Sequence, residues 1–147
     1  MIISLPLYVN ISCSKKFILN LNNYRNAHYH LLNVAKTNFN EIIYNDIKNF
    51  KTISKNNISL IYTVYKNDRR KFDVANVCSV LDKFFCDALV SAGVLIDDNY
   101  DYIKQVTYKF GGIDKNNPRV DVEIVTLPVK RKPTALKYIE EQKNKWF

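Results

Sequence analysis

The amino-acid sequence predicts an α/β (α+β) domain with a mixed sheet of four to five strands and two main helices. Strands are indicated by β-branched and aromatic runs, which are clearest over residues 58–65 (ISLIYTVY), 102–110 and 119–127. Helices are indicated by apolar residues that recur at three- and four-residue steps over 25–50 and over 73–93. Because the chain has 147 residues, of which 47% are hydrophobic, it can bury a substantial core.

The remaining elements complete one predicted domain over residues 1–128, followed by a basic tail over 129–147. Residues 2–11 read as a first strand in which Pro6 hints at an edge or a bulge, and 15–21 as a second strand or an extended loop. The turn residues at 111–112 and 116–118 predict a hairpin between the last two strands. The tail has three open interpretations: a DNA-contacting arm, a partner-docking helix or frayed surface.

Composition limits the function. The net charge of +8 favours a polyanionic partner, nucleic acid first. Three cysteines without C-x-x-C spacing argue against a disulfide framework and a zinc site, and three glycines leave no phosphate-cradling loop for a nucleotide cofactor. No apolar run is long enough to span a membrane, and no signal-peptide pattern opens the chain. We therefore expect a cytoplasmic protein without a membrane partner.

Chemistry-bearing residues gather around the second helix. Asp73 opens it in a position suited to an N-cap, Gly93 ends it, and Asp97 and Asp98 follow. Four basic residues stand just before it: Lys66, Arg69, Arg70 and Lys71. Carboxylates beside lysine and arginine are what metal-assisted phosphodiester cleavage needs, because the cation offsets phosphate charge. Each of these features also has a purely structural interpretation. The basic run can be a solvated turn, Asp73 can be an N-cap only, and residues 97–99 (D-D-N) can be an ordinary turn.

The helical period separates the faces of this helix. Its apolar stripe contains Val74, Val77, Cys78, Leu81, Phe85, Ala88 and Leu89. On the opposite side Asn76, Lys83 and Asp87 fall close together, while Asp82 lies at the flank of the stripe. Lys83 and Asp87 are also spaced for an ordinary surface ion pair.

The segment resembles the RusA family of Holliday junction resolvases, the metal-dependent endodeoxyribonucleases of bacteria and their phages. The family pattern is basic residues, D-x-D-N, a lysine, D-A-L, a glycine and an acidic pair. Over about residues 60–127 this chain follows that order with Arg69-Arg70-Lys71, Asp73-Val74-Ala75-Asn76, Lys83, Asp87-Ala88-Leu89, Gly93 and Asp97-Asp98. It departs from the pattern at Ala75, which replaces the second aspartate. Asn76 and Lys83 are also seven apart instead of three, as if one helical turn were inserted.

The resemblance implies a Mg²⁺-dependent (or Mn²⁺-dependent) endonuclease that resolves four-way junctions or related branched DNA in recombination and repair, in a bacterial cell or encoded by a phage. It implies a homodimer, since a junction needs two symmetric nicks. Asp73 and Asp98, helped by Asp97, would hold the metal, and Lys83 would offset developing charge or position water.

Three further assignments accompany the resemblance. Lys66, Arg69, Arg70, Lys71 and Asn76 would contact DNA. The ligand missing at Ala75 would be replaced by Asp82 or by water. Asp82 is preferred, because a carboxylate at the edge of the apolar stripe is unfavourable unless it has a partner. The alternative function is a weakened relative that binds branched DNA without cutting it.

Overall fold

The computed structural model describes residues 1–53, 57–128 and 142–143. Over residues 1–53 and 57–128, a four-stranded mixed sheet and a two-stranded sheet are combined with two long helices and one short helix, which confirms the α+β class. The elements are β1 (Ile2–Leu5), β2 (Tyr8–Asn10), β3 (Lys16–Ile18), α1 (Leu21–Asn26), α2 (Tyr29–Ile47), β4 (Asn57–Lys66), α3 (Val74–Ser91), β5 (Ile103–Ile113) and β6 (Arg119–Leu127). Residues 129–147, the predicted tail, lie outside the described residues apart from 142–143.

Strand β4 is one of the two interior strands of the main sheet, whose order is β1-β6-β4-β5. Its alternate residues Ile58, Leu60, Tyr62 and Val64 are fully buried toward the helices. β4 pairs in parallel with β5 and antiparallel with β6. The predicted hairpin between β5 and β6 is therefore wrong, because β4 lies between them.

The connection from β5 to β6 passes the end of β4. The backbone N–H of Asp114 donates to the carbonyl of Lys66, the last residue of β4, at 2.7 Å. The carboxylate of Asp114 accepts the backbone N–H groups of Asn116 and Asn117, which closes the turn. The turn predicted at 116–118 is thus confirmed, whereas residues 111–112 lie within β5, and the turn returns the chain to the far side of β4.

The first predicted strand, residues 2–11, is two strands in two sheets. β1 pairs antiparallel with β6 at the edge of the main sheet, and β2 pairs antiparallel with β3. Pro6 separates them, in line with its missing N–H and fixed φ.

The first predicted helix, 25–50, also consists of two pieces. α1 begins at Leu21, because Asn20 caps it by accepting the backbone N–H of Asn23 at 2.8 Å. The chain is extended at Ala27 and His28, and α2 then runs from Tyr29 to Ile47. The residues between the predicted second strand and the predicted helix, 22–24, lie inside α1.

Helix α3 has the predicted ends and packs over the sheet. Asp73 is its N-cap, and Gly93 follows the C-cap at φ +73°, a left-handed conformation that glycine adopts without strain. Its buried face contacts β4 and β5, and Phe84 meets Phe39 of α2 edge to face at 5.6 Å. Among the helices that the structure describes, none is long and apolar enough to cross a membrane.

Candidate functional site

The basic segment occupies the connection between β4 and α3. Arg69, Arg70 and Lys71 are exposed, so their cationic groups face solvent. Asp68 shapes the turn: its carboxylate accepts the backbone N–H of Arg70 at 3.0 Å and lies 3.8 Å from the Arg70 guanidinium. The ammonium of Lys66 lies over the ring of Phe72, 4.7 Å from its centroid. The connection therefore presents a cluster of accessible cations next to the start of α3.

A groove of about 400 Å³ runs beside these cations. Its floor is apolar and is formed by Phe72 and Val74 at the start of α3 and by Phe110 and Ile113 near the end of β5. Its rim is charged and consists of Asp68, Arg69, Arg70 and Lys71. We call this feature the basic-rim groove.

Asp73 is exposed and serves the helix. Its Oδ1 accepts the backbone N–H of Ala75 at 3.0 Å, as an N-cap does. Ala75 is also exposed, so the position of the missing family carboxylate faces solvent. The carboxylate of Asp68, five residues before Asp73, is engaged by Arg70.

The acidic pair lies in the exposed turn after α3. Asp97 accepts the backbone N–H of Asp98 at one oxygen and the side-chain amide of Asn99 at the other, both at 2.8 Å. Partial desolvation, the contact with Asp97 and the charge of Asp87 raise the pKa of Asp98 above its ordinary value. Crowded carboxylates of this kind are relieved by a bound cation.

Asp87 and a lysine from α2 complete this acidic region. The Lys36 ammonium lies 3.2 Å from the Asp87 carboxylate, which ties α2 to α3. Lys83 is exposed one helical turn before Asp87, with its ammonium 5.9 Å from the ring centroid of Tyr24. Lys83 therefore lies near the middle of α3, next to α1.

Asp73 and the acidic pair are not brought together within one chain. Asp87 follows Asp73 by fourteen residues, which corresponds to about 21 Å along an α-helix. In residues 1–53, 57–128 and 142–143 there is no group of three or more His, Cys, Asp or Glu side chains that could hold a metal ion. Mg²⁺, however, is commonly held by one or two carboxylates together with water and substrate phosphate. The pair Asp97–Asp98 fits that smaller donor set.

Asn76, which was predicted to contact DNA, has a structural partner. Its Oδ1 accepts the backbone N–H of Leu21 at 3.1 Å, in a half-buried position. This hydrogen bond satisfies the first N–H of α1 and fixes α1 against α3. Asn76 therefore joins two helices, and its amide nitrogen is the part left for another contact.

Asp82 lies between α3 and the sheet, about two and a half helical turns along α3 from Asp73. Its carboxylate accepts the hydroxyl of Tyr62 at 2.8 Å, the hydroxyl of Tyr108 at 3.3 Å and the thiol of Cys86 at 3.5 Å. Burial, together with this carboxylate, raises the pKa of both tyrosines and of the thiol. The sequence reason for preferring Asp82 as a ligand thus has another explanation: the acid at the edge of the stripe accepts hydrogen bonds from two strands.

Sequence reasoning missed this cluster, although a signal for it exists. Tyr62 and Tyr108 both fall on the buried face of a strand, and a buried hydroxyl needs an acceptor. Asp82 was the acid nearest to the apolar stripe. The strand register that pairs Tyr62 with Tyr108 could not be read from the sequence.

Comparison with known proteins adds no relative: no protein-family model matches the chain, and no curated protein matches it. The RusA resemblance therefore stays a prediction from the residues of α3 and its flanks.

Proposed function

We propose that this chain binds branched DNA through the basic segment and cleaves it with Mg²⁺ held by Asp97 and Asp98. The observation that carries the proposal is the placement of exposed cations and an exposed acidic pair at opposite ends of α3. The part of α3 between Asp73 and Asp87, about 21 Å long, is close to the rise of about six base pairs, so both groups can lie along one DNA arm. Mg²⁺ or Mn²⁺, when bound, would activate water and offset charge on the scissile phosphate.

Asp73 enters the proposal only through a second chain. Since α3 separates it from the acidic pair, a metal shared by Asp73 and Asp98 requires the two residues to come from different subunits of a homodimer. A two-fold dimer would contain two such sites, as symmetric nicking of a junction requires. In this proposal Lys83, one helical turn before Asp87, acts on a phosphate held at the acidic pair.

Asp98→Asn is expected to abolish nicking of a synthetic four-way junction while its affinity for the junction is kept or increased, because loss of a carboxylate weakens the metal site and reduces repulsion of phosphate. The measurement is single-turnover nicking across a Mg²⁺ titration, with binding followed separately in Ca²⁺. Asp46→Asn, an exposed acid on α2, is the matched control. Nicking at the wild-type rate by Asp98→Asn would remove the acidic pair from the site.

Subunit mixing tests the shared site. Asp73→Asn and Asp98→Asn are inactive alone if both residues serve the metal. After mixing through denaturation and refolding, about a quarter of all sites should contain both native carboxylates if each site is shared between chains. A site built within one chain gives no recovery. If mixing restores no nicking activity and the Asp73→Asn variant is itself active, Asp73 does not bind the metal and only caps α3.

A second function, binding of branched DNA without cleavage, is favoured by one specific observation. Among the described residues no three-acid group exists, and Ala75 lacks the carboxylate of the family pattern. Junction binding with no nicking at any Mg²⁺ or Mn²⁺ concentration would select this function. Absence of salt-dependent DNA binding would contradict both.

A further inference from the structure

The floor of the basic-rim groove is a large exposed apolar surface. Phe110 is 53% exposed and Ile113 is 42% exposed, and both lie next to Phe72 and Val74. The volume of about 400 Å³ lies within the range of roughly 300–1,000 Å³ found for ligand pockets. A contiguous apolar surface bounded by charged residues is typical of a protein-binding site.

Strand β5, which supplies Phe110 and Ile113 to the groove, is an outer strand of the main sheet. Val106, 39% exposed, and Phe110 project toward the same side of β5, because their spacing is even. In the part of the chain that the structure describes, no strand pairs with the outer edge of β5. An outer strand offers backbone N–H and C=O groups to an added extended segment. Alternate side chains of such a segment would face the groove.

The charged residues at the rim of the groove favour a binding partner with negative charge. Three of its four charged residues are cationic (Arg69, Arg70 and Lys71), and the ammonium of Lys66 lies close by over Phe72. The one carboxylate, Asp68, is next to the Arg70 guanidinium. A complementary partner therefore carries negative charge beside an apolar anchor. The sequence of residues 129–147, with six basic and two acidic residues, does not have this composition.

The shape of the floor favours a peptide over a nucleobase. The rings of Phe72 and Phe110 meet at 71° with centroids 5.8 Å apart, so they do not form the parallel faces between which a base stacks. Val74 and Ile113 supply aliphatic walls, and every polar side chain of the lining is a charged one at the rim. Branched aliphatic or aromatic side chains are the guests that such a floor accommodates.

We propose that the basic-rim groove and the outer edge of β5 bind an extended acidic segment of a partner protein. A large apolar side chain of that segment packs on Phe110 and Ile113, and its carboxylates pair with Arg69 and Arg70. The groove lies at the opposite end of α3 from Asp97 and Asp98. This peptide would compete with DNA for Arg69 and Arg70, but it does not use Asp97 or Asp98. Peptide binding measured without DNA and nicking measured without peptide can therefore fail independently.

The experiment measures fluorescence anisotropy of a labelled peptide in which Asp alternates with Phe and Leu. One control peptide replaces Phe and Leu by Ser at the same charge, and another replaces Asp by Asn. Phe110→Ser and, independently, Ile113→Ser should weaken binding of the first peptide by about tenfold or more. Ile42→Ser on α2, where Ile42 is 52% exposed, is the matched control and should bind as the wild type does. The urea midpoint of each variant reports whether it is folded.

Four results would overturn the proposal. The first is no binding of the apolar acidic peptide, and the second is equal binding of the Ser-containing control, which would show attraction by charge alone. The third is competition by a single-stranded oligonucleotide, together with a loss of oligonucleotide affinity in Phe110→Ser as large as the loss of peptide affinity. This result would make the groove a base-binding site. The fourth is self-association, seen by sedimentation, that Phe110→Ser abolishes, which would assign the surface to a second copy. Loss of peptide binding in Arg69→Ala/Arg70→Ala with unchanged binding in Ile42→Ser supports it.

Discussion

At the scale of single residues, Asp82 shows how one acid can specify the packing of a helix on a sheet. The carboxylate accepts hydroxyl groups from β4 and β5 and a thiol from its own helix. Because all three donors are buried or half-buried, loss of their common acceptor leaves polar groups without partners in an apolar layer. The hydrogen bonds thus fix both the height and the rotation of α3 above the sheet.

Asp82→Ala should lower the free energy of unfolding by about 2–4 kcal/mol, because it removes charge-assisted hydrogen bonds and leaves buried hydroxyls unsatisfied. Urea unfolding followed by circular dichroism measures it. Asp87→Ala removes an acid one turn away whose ion pair with Lys36 is exposed, and should cost less than about 1 kcal/mol. Equal costs for the two variants would contradict the structural role of Asp82.

The buried thiol of Cys78 predicts a dependence of stability on pH. Burial, with the charge of Asp82, raises the pKa of Cys78 from 9.0 to about 12. Above about pH 9 the unfolded chain loses this proton while the folded chain keeps it, so the free energy of unfolding should fall as the pH rises toward 12. Urea titrations at pH 8 and above pH 9 measure the slope. Cys78→Ala should reduce the slope by the contribution of one proton, because Cys86, Tyr62 and Tyr108 keep their own raised pKa values, and Cys13→Ala, at an exposed thiol, should leave it unchanged.

At the scale of elements, the sequence predicted local structure better than strand neighbours. Both ends of α3 were predictable, because capping by Asp73 and the left-handed turn at Gly93 are local interactions. The position of β4 between β5 and β6 was not, since turn residues report a reversal but not which strand the chain then pairs with. The first helix was similarly misread where Asn20 caps a short helix before the extended residue His28.

Gly111 was predicted to be a turn residue, but it lies within β5. There the side chains of Thr63 and Tyr65 occupy the space that a Cβ would need. A Cβ there would come within 2.6 Å of the Thr63 methyl and 2.7 Å of the Tyr65 ring. Gly111→Ala should therefore cost about 1–3 kcal/mol of unfolding free energy. In a Thr63→Ser/Tyr65→Ala background the same substitution should cost less, as a double-mutant cycle would show. An unchanged urea midpoint for Gly111→Ala would contradict the packing.

At the scale of the whole molecule, the sequence predicted the net charge, but it did not predict which charged residues lie close together in the fold. The surplus of 22 basic over 14 acidic residues indicated a polyanionic partner. Helical spacing correctly suggested that Lys83 and Asp87 share a face. It could not show that the acidic pair folds back toward Asp87 and away from Asp73, because the turn after Gly93 decides that path.

Replacement of Arg69, Arg70 and Lys71 by Ala should weaken binding to all DNA alike. The slope of log Kd against log salt should fall by about two to three units, near one for each lost phosphate contact. Loss of the same charge elsewhere, with Lys15, Lys48 and Lys51 replaced by Ala, is the matched control and should change the slope less. If both triple variants gave the same slope, attraction would come from net charge and not from this segment.

Strand β6 is the last described strand along the chain, yet it lies in the interior of the sheet, between β4 and β1. During synthesis on a ribosome, the edges of β1 and β4 that pair with β6 stay unpaired until β6 has been made. In the folded protein β4 has four fully buried apolar or aromatic side chains. The unit β4–α3–β5 can assemble earlier, because its parts are adjacent in sequence. A nascent chain that stalls before Arg119 would therefore expose two open β-edges on apolar strands, which is a template for aggregation.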